Sequence, residues 1–271
     1  MKFTVFGATG FIGTHLVSHL RLLGYDVSAV SRSNFSEKRG DLGHCIYAFG
    51  LTSDFRSRPF ETIEAHVCIA SDLLRNADFQ SFLYLSSTRV YANSNEAQEE
   101  TALCVSPSSP SDLYNLSKLT GEAICLSSGR KNVRIARLSN VIGPDEAGSE
   151  TFVGELCREA LRGHIQLRTD PRSSKDYIWI NDVTRLLAQI AQKGRHSIYN
   201  VASGIQLSHQ AWISGISALT GCSVAVEVNA PVISFPDIST ERIASEFGAT
   251  PCSVLTFLPM ILSQKSVSQI T

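Results

Sequence analysis

Apolar residues along this chain follow two alternating rhythms, and each change of rhythm marks an element. Lys2 to Phe6 carries apolar Phe3, Val5 and Phe6 around a β-branched Thr4, a strand pattern. Ile12, Leu16, Leu20 and Leu23 follow at helical spacing. Tyr25–Val30 reads as a second strand and Cys45–Phe49 as another. Helices are predicted near Glu61–Asn76 and Leu113–Ser128, over Phe152–Arg162, and after Asp182, which reads as an N-cap. Asn93–Ser111 is polar, contains Pro107 and Pro110, and reads as a loop. Strand and helix alternate to about Leu138, which predicts an α/β protein built on a doubly wound parallel sheet. The tail beyond Leu262 is polar and expected to fray.

Composition narrows the function classes. At 271 residues the chain has room for one large or two small domains. Hydrophobic residues at 43% and charged residues at 18% suit a soluble globular protein. A formal net charge of −1 without a basic block argues against nucleic acid or an anionic membrane as partner. Apolar runs are too short to span a membrane, and MKFTVFGATG turns into a glycine loop too early for a signal peptide. The cysteines at 45, 68, 104, 125, 157, 222 and 252 form no CxxC pair, so reduced thiols and a cytoplasmic location are expected. His15 and His19 stand four apart, but no carboxylate or thiol joins them, and no metal site is expected.

Three clusters carry candidate chemistry. The first is Gly7-Ala8-Thr9-Gly10-Phe11-Ile12-Gly13, between a strand and a helix. There Gly7 allows the turn, Gly10 admits a pyrophosphate and Gly13 permits close packing, with the helix N-terminus facing the phosphates. A tight turn without ligand is the competing reading. The second is Ser31-Arg32, where an NAD-preferring site usually places an acid. Serine and arginine suit a 2′-phosphate, so NADP(H) is favoured and NAD(H) remains possible. The third is Tyr114 and Lys118, four apart on one helix face, where an ammonium would lower the tyrosine pKa and make a proton-transfer pair.

In order along the chain, these and later motifs resemble the extended short-chain dehydrogenase/reductases, the nucleotide-sugar epimerase/dehydratase family. GATGFIG resembles its cofactor loop, and Phe82–Tyr91 (FLYLSSTRVY) its fifth strand. On that match Ser87 is the catalytic hydroxyl, and YNLSK supplies catalytic Tyr114 and Lys118. Ala136–Pro144 (ARLSNVIGP) resembles the stretch whose Asn, here Asn140, contacts a substrate diphosphate. Lys175–Val183 resembles a segment usually opening Arg-Asp, and Ile198–Val201 resembles a late strand. His66 falls where the family often has an Asn.

The resemblance implies a Rossmann-like fold with a small C-terminal substrate-binding lid. Residues 1–139 would form the dinucleotide domain, with 176–202 returning to it. Residues 140–264 would form the interleaved substrate part, and 265–271 a frayed tail. Gly50, Tyr114 and Lys118 would join the glycine loop at the cofactor; Thr52, Ser53, Ser87, Asn140 and Lys175 would face the substrate. The helices near 61–76 and 113–128 would make a homodimer contact.

Three departures qualify this. SRSNFSEKRGDLGH is too short for the family's third strand and its flanking helices, so that strand looks missing or reduced. Lys175 replaces the usual diphosphate-binding Arg, with Arg172 able to compensate. Thr88 and Arg89 stand where a dehydratase needs two acids. The implied function is NAD(P)-dependent hydride transfer on a nucleoside-diphosphate sugar, as a 4-ketoreductase or an epimerase. The alternatives are a dehydrogenase of a free sugar or uronic acid, and a non-catalytic dinucleotide-sensing scaffold.

Overall fold

The computed structural model describes residues 1–35, 40–52, 54–250 and 252–263. Ser53, part of the short loop after the second strand, and the tail 265–271 lie outside them. The first half alternates β1 (Lys2–Phe6), α1 (Phe11–Leu22), β2 (Asp26–Val30), β3 (His44–Tyr47), α2 (Pro59–Ile63), α3 (Ile69–Asn76), β4 (Ser81–Ser87), α4 (Asp112–Ser127) and β5 (Val133–Leu138). The second half contains β6 (Asn140–Ile142), α5 (Phe152–Leu161), β7 (His164–Leu167), β8 (Ser174–Trp179), α6 (Ile180–Lys193), β9 (Ile198–Val201) and β10 (Gln206–Ser208). It closes with α7 (His209–Thr220), β11 (Ser223–Val226), α8 (Glu241–Phe247) and α9 (Leu258–Ser263).

Six strands pair in the order β2-β1-β3-β4-β5-β9, and every pairing is parallel. Strands buried on both faces need continuous apolar runs, as in Phe3–Phe6 and Phe82–Leu85. One face packs on α1 and α6 through Leu16, Leu20, Val183 and Leu187; the other packs on α3 and α4 through Leu73, Leu74 and Cys125. The chain leaves β1 outward to β2, then returns across β1 to β3. That reversal puts a ligand crevice at the carboxyl end of β1, where the glycine loop begins. Among the described residues no strand pairs with the outer edge of β2, as the missing third strand predicts.

β6, β8 and β10 form a second small sheet, and β7 pairs with β11. Their core gathers Ile142, Leu156, Trp179, Trp212 and Ile216. Asp176, buried in β8, accepts from Ser203 N (3.0 Å), Ser203 Oγ (2.9 Å) and Ile205 N (3.1 Å). This knot fixes the small sheet to the end of β9.

Several boundaries differ from the sequence pattern. Phe49 leaves the ladder after Tyr47 and lines a cleft. The helix expected near 61–76 starts at Pro59 and is interrupted by a π-helical turn, Glu64–Cys68. Such a turn frees carbonyls from the helical pattern; Tyr47 Oη donates to Ala65 O (2.5 Å) and Tyr84 Oη to His66 O (2.9 Å). Asp182 is not an N-cap: β8 runs straight into α6, Trp179 holds that position, and Asp182 pairs with Arg185 at 3.1 Å. A carboxylate in a first turn still suits the helix dipole.

α4 is held to the sheet by a buried ion pair. Arg137 on β5 reaches Glu122 on α4 with Nε–Oε1 at 3.0 Å and Nη2–Oε2 at 2.6 Å. Burial works against the Arg137 charge, and the carboxylate more than offsets it, leaving the pKa above its ordinary value. Nη1 donates to Tyr91 Oη (2.7 Å), which donates to Asn200 Oδ1 (2.8 Å) on β9. Replacing one partner strands the other charge in the core. Glu122→Gln is expected to cost about 3–5 kcal/mol in urea unfolding.

Candidate active site

One cleft of about 970 Å³ runs from the glycine loop, across the carboxyl ends of β1, β3 and β4, to the small sheet. Gly7, Gly10, Phe11, Ile12 and Gly13 line its first end. Gly7 has φ +83° and its N–H donates to Val30 O at 2.8 Å. A Cβ on Gly13 would collide with Gly7 O, so only glycine lets α1 pack this close to the loop. No side chain caps α1 at Gly10, and its first N–H groups face the loop's concavity. Thr9 is exposed beside it, outside the cleft lining. This cradle fits a dinucleotide pyrophosphate by its donor set.

Ser31 and Arg32 follow β2 beside the loop, beyond the cleft lining. Ser31 N donates to Asn34 Oδ1 at 2.7 Å, and its hydroxyl meets Ser33 Oγ at 2.7 Å. Arg32 is exposed.

The middle of the cleft brings Ser87, Tyr114 and Lys118 together, with Gly50 and Thr52 on the same lining. Ser87 ends β4 and its Oγ accepts from Arg89 N at 3.2 Å, which leaves the O–H as a donor toward the cleft. Tyr114 and Lys118 are both buried on α4. Lys118 Nζ donates to Leu85 O at 2.9 Å and lies 5.9 Å from the Tyr114 ring centre. Burial drives the Lys118 pKa down to about 7, with Glu122 pulling it up.

Tyr114 departs from the expected electrostatics. Burial raises its pKa above the ordinary 10, opposed by the Ser87 hydroxyl and the Arg89 guanidinium. Two cations flank the phenol ring, Arg89 Cζ at 5.4 Å and Lys118 Nζ at 5.9 Å, and Arg89 is the one that lowers its pKa. Lys118 is engaged by a carbonyl and is itself partly discharged by burial. Arg89 enters the site as more than a missing acid; its position two residues beyond Ser87 at a strand end is the signal that could have marked it.

His66 underlies this group. Leu51 N donates to its Nε2 (3.3 Å), and its Nδ1 meets Ser117 Oγ (2.7 Å), which donates to Tyr114 O (2.8 Å). Those bonds assign a neutral ring with the proton on Nδ1. Burial, then Lys118, lowers its pKa to about 2, so it stays neutral.

At the far end Asn140 Nδ2 donates to Asp176 O at 2.8 Å while the side chain lines the cleft. Lys175 lines the same end, 5.8 Å from the Phe235 ring. Arg172 does not reach it: the side chain is 80% exposed and bidentate to Asp170, at 2.9 and 2.8 Å. A carboxylate two residues away satisfies that guanidinium locally. Ile233, Phe235, Pro236 and Ile238 close over this end, a wall that no motif announced. Among the described residues no three metal-ligating side chains cluster, and no helix is long and apolar enough to cross a membrane.

Residues 3–57 and 42–202 match the model of the NAD dependent epimerase/dehydratase family. A relative described as an uncharacterized UDP-glucose epimerase of Bacillus subtilis is 26% identical over 237 residues, covering 71% of this chain and 73% of the relative. Among solved structures, MoeE5 in complex with UDP-glucose and NAD superposes with a TM-score of 0.78 at 23% identity, over 97% of both chains. RMD from Pseudomonas aeruginosa complexed with NADPH gives 0.77 at 23% identity, over 97% of this chain and 99% of that one. These two show a shared fold. The chain belongs to the NAD dependent epimerase/dehydratase family.

The depressed Lys118 pKa has a consequence for stability. The folded state holds fewer protons than the unfolded one between about 7 and 10.5, so stability rises with pH across that window. The penalty is fully present below 7. Urea unfolding of the wild type and Lys118→Met at pH 7 and pH 9 should show the wild type gaining relative to the variant. The slope is at most about 1.4 kcal/mol per pH unit.

Proposed function

From that membership, we propose that the chain transfers hydride between NAD(P) and a ring carbon of a nucleoside-diphosphate sugar, as a 4-ketoreductase or an epimerase. The observation that carries the reading is the convergence of Ser87, Tyr114 and Lys118 in the cleft that begins at the glycine loop. Bound dinucleotide would supply the hydride acceptor or donor. In the reducing direction the Tyr114 phenol gives its proton to the carbonyl oxygen; in the oxidising direction its phenolate, the form that Arg89 and the Ser87 hydroxyl favour, takes the proton from the sugar hydroxyl. Its burial and the nearby Arg89 hold the phenol in water-poor surroundings with a cation alongside. Ser87 gives its hydroxyl proton as a hydrogen bond to the same oxygen. In its ammonium form Lys118, anchored on Leu85 O, keeps two further N–H groups for the cofactor ribose. Asn140 and Lys175 serve the diphosphate, without Arg172.

Dehydration has no support at Thr88 and Arg89, since a guanidinium cannot accept the proton that elimination releases. The open edge of β2 favours the reductase form. A reductase exchanges cofactor every turnover, whereas an epimerase keeps it. Arg32 beside the loop favours NADP(H). Exposed Phe60, at 85%, and Leu126, at 52%, put apolar surface on α2 and α4, and we assign that surface to a homodimer contact.

Tyr114→Phe should lose at least about 100-fold in turnover while keeping dinucleotide affinity; full activity would remove Tyr114 from the chemistry. Mass spectrometry of ligand released from the purified protein, with NADH and NADPH titrations, tests the cofactor. Protein that takes up NADPH supports the reductase, stoichiometric tightly held NAD the epimerase, and binding of neither supports a scaffold. Phe60→Asp should shift sedimentation toward monomer.

A further inference from the structure

We propose that Arg89 receives a carboxylate on the sugar, so that the substrate class is a nucleoside-diphosphate hexuronic acid. This rests on the assignment of Tyr114 to the reacting carbon.

Arg89 lines the cleft and is partly buried. Among the described residues its guanidinium has no hydrogen bond and no ion pair; only its backbone N–H is engaged, by Ser87 Oγ. The other partly buried arginines are answered. Arg137 has Glu122, Arg242 has Glu99, Arg185 has Asp182, Arg130 has Leu74 O and Ala77 O, and Arg134 has Gly194 O. Asp112 is the acid that acts on Arg89, but it forms no ion pair with it and accepts instead from Ser106 N (3.0 Å) and Asn115 Nδ2 (2.8 Å). A cation half out of water without a counterion is costly, and a ligand anion would relieve that cost.

The guanidinium is also held in place. Its Cζ lies 5.1 Å from the ring centre of Phe55, a fully buried residue that packs against Tyr114 at 5.5 Å. Aromatic faces orient a planar guanidinium and leave its N–H fork for a bidentate partner. Arg89 is 5.4 Å from the Tyr114 ring centre, so it meets a substituent next to the reacting carbon. For reaction at C4 of a hexopyranose, the flanking substituents are the C3 hydroxyl and the C6 group on C5, and of the two only C6 can carry a carboxylate. The diphosphate on C1 lies across the ring, toward Lys175. Arg89 and Lys175 repel each other through the cleft. Two anions on one substrate, a carboxylate at one end and a diphosphate at the other, answer both charges. A neutral C6 hydroxyl answers one.

Two ligand pairs that differ only at C6 test this by calorimetry: UDP-glucuronic acid against UDP-glucose, and GDP-mannuronic acid against GDP-mannose. The wild type should bind the acid of at least one pair about tenfold or more tighter than its neutral partner. Arg89→Gln should abolish that preference while changing neutral-sugar affinity less than about twofold, with a melting temperature equal to or above that of the wild type. Arg89→Lys, which keeps the charge without the fork, should retain part of the preference. Equal affinity within both pairs overturns the inference, as does an equal loss for acid and neutral sugar in Arg89→Gln, which would place the guanidinium on the diphosphate. Binding of neutral sugars without preference overturns this inference alone; binding of none of the four overturns the nucleotide-sugar reading with it.

Discussion

The Arg137–Glu122 pair is the constraint on which the rest of the site depends. It ties α4 to β5 inside the core, and through Tyr91 and Asn200 it reaches β9. Glu122 lies one turn beyond Lys118 on α4, and Lys118 one turn beyond Tyr114. The helix that carries Tyr114 and Lys118 therefore cannot slide or rotate against the sheet without breaking a buried ion pair. The same carboxylate that anchors the helix raises the Lys118 pKa against the effect of burial. Structural anchoring and electrostatic tuning are carried by one side chain.

Charge is distributed along the cleft in an order that suits an elongated anionic ligand. Helix N–H groups stand at the glycine loop, Arg89 beside the phenol, and Lys175 at the small sheet. Lys118 lies between, buried and partly discharged. His66, fixed neutral by Leu51 and Ser117, adds no charge and instead shapes the backbone beneath Tyr114. The π-helical turn that presents His66 persists because two buried tyrosines take up carbonyls there.

The open edge of β2 separates this chain's two ends. The chemistry end is enclosed by β4, α4 and the 233–238 wall. The end proposed for the adenine has polar residues and Arg32, and among the described residues no further strand beside it. On the proposed function, affinity for the reacting groups and retention of the cofactor would be set by different parts of the fold.

Much of this was legible in the residues. Strand, glycine loop and helix at the N-terminus follow from local period and from the backbone demands of Gly7 and Gly13. The Tyr114–Lys118 face follows from helical spacing, and the outer edge of β2, left open among the described residues, from the shortness of the loop after Val30. Asp182 and Arg172 were misread because local patterns compete with context. A strand running directly into α6 displaced the cap, and a nearby Asp170 captured the guanidinium. Only the tertiary structure decided that a second cation, Arg89, faces the phenol. Spacing on one helix named Lys118, but electrostatics depend on distance and burial across elements, and those put Arg89 beside Tyr114 and Lys118 on a carbonyl.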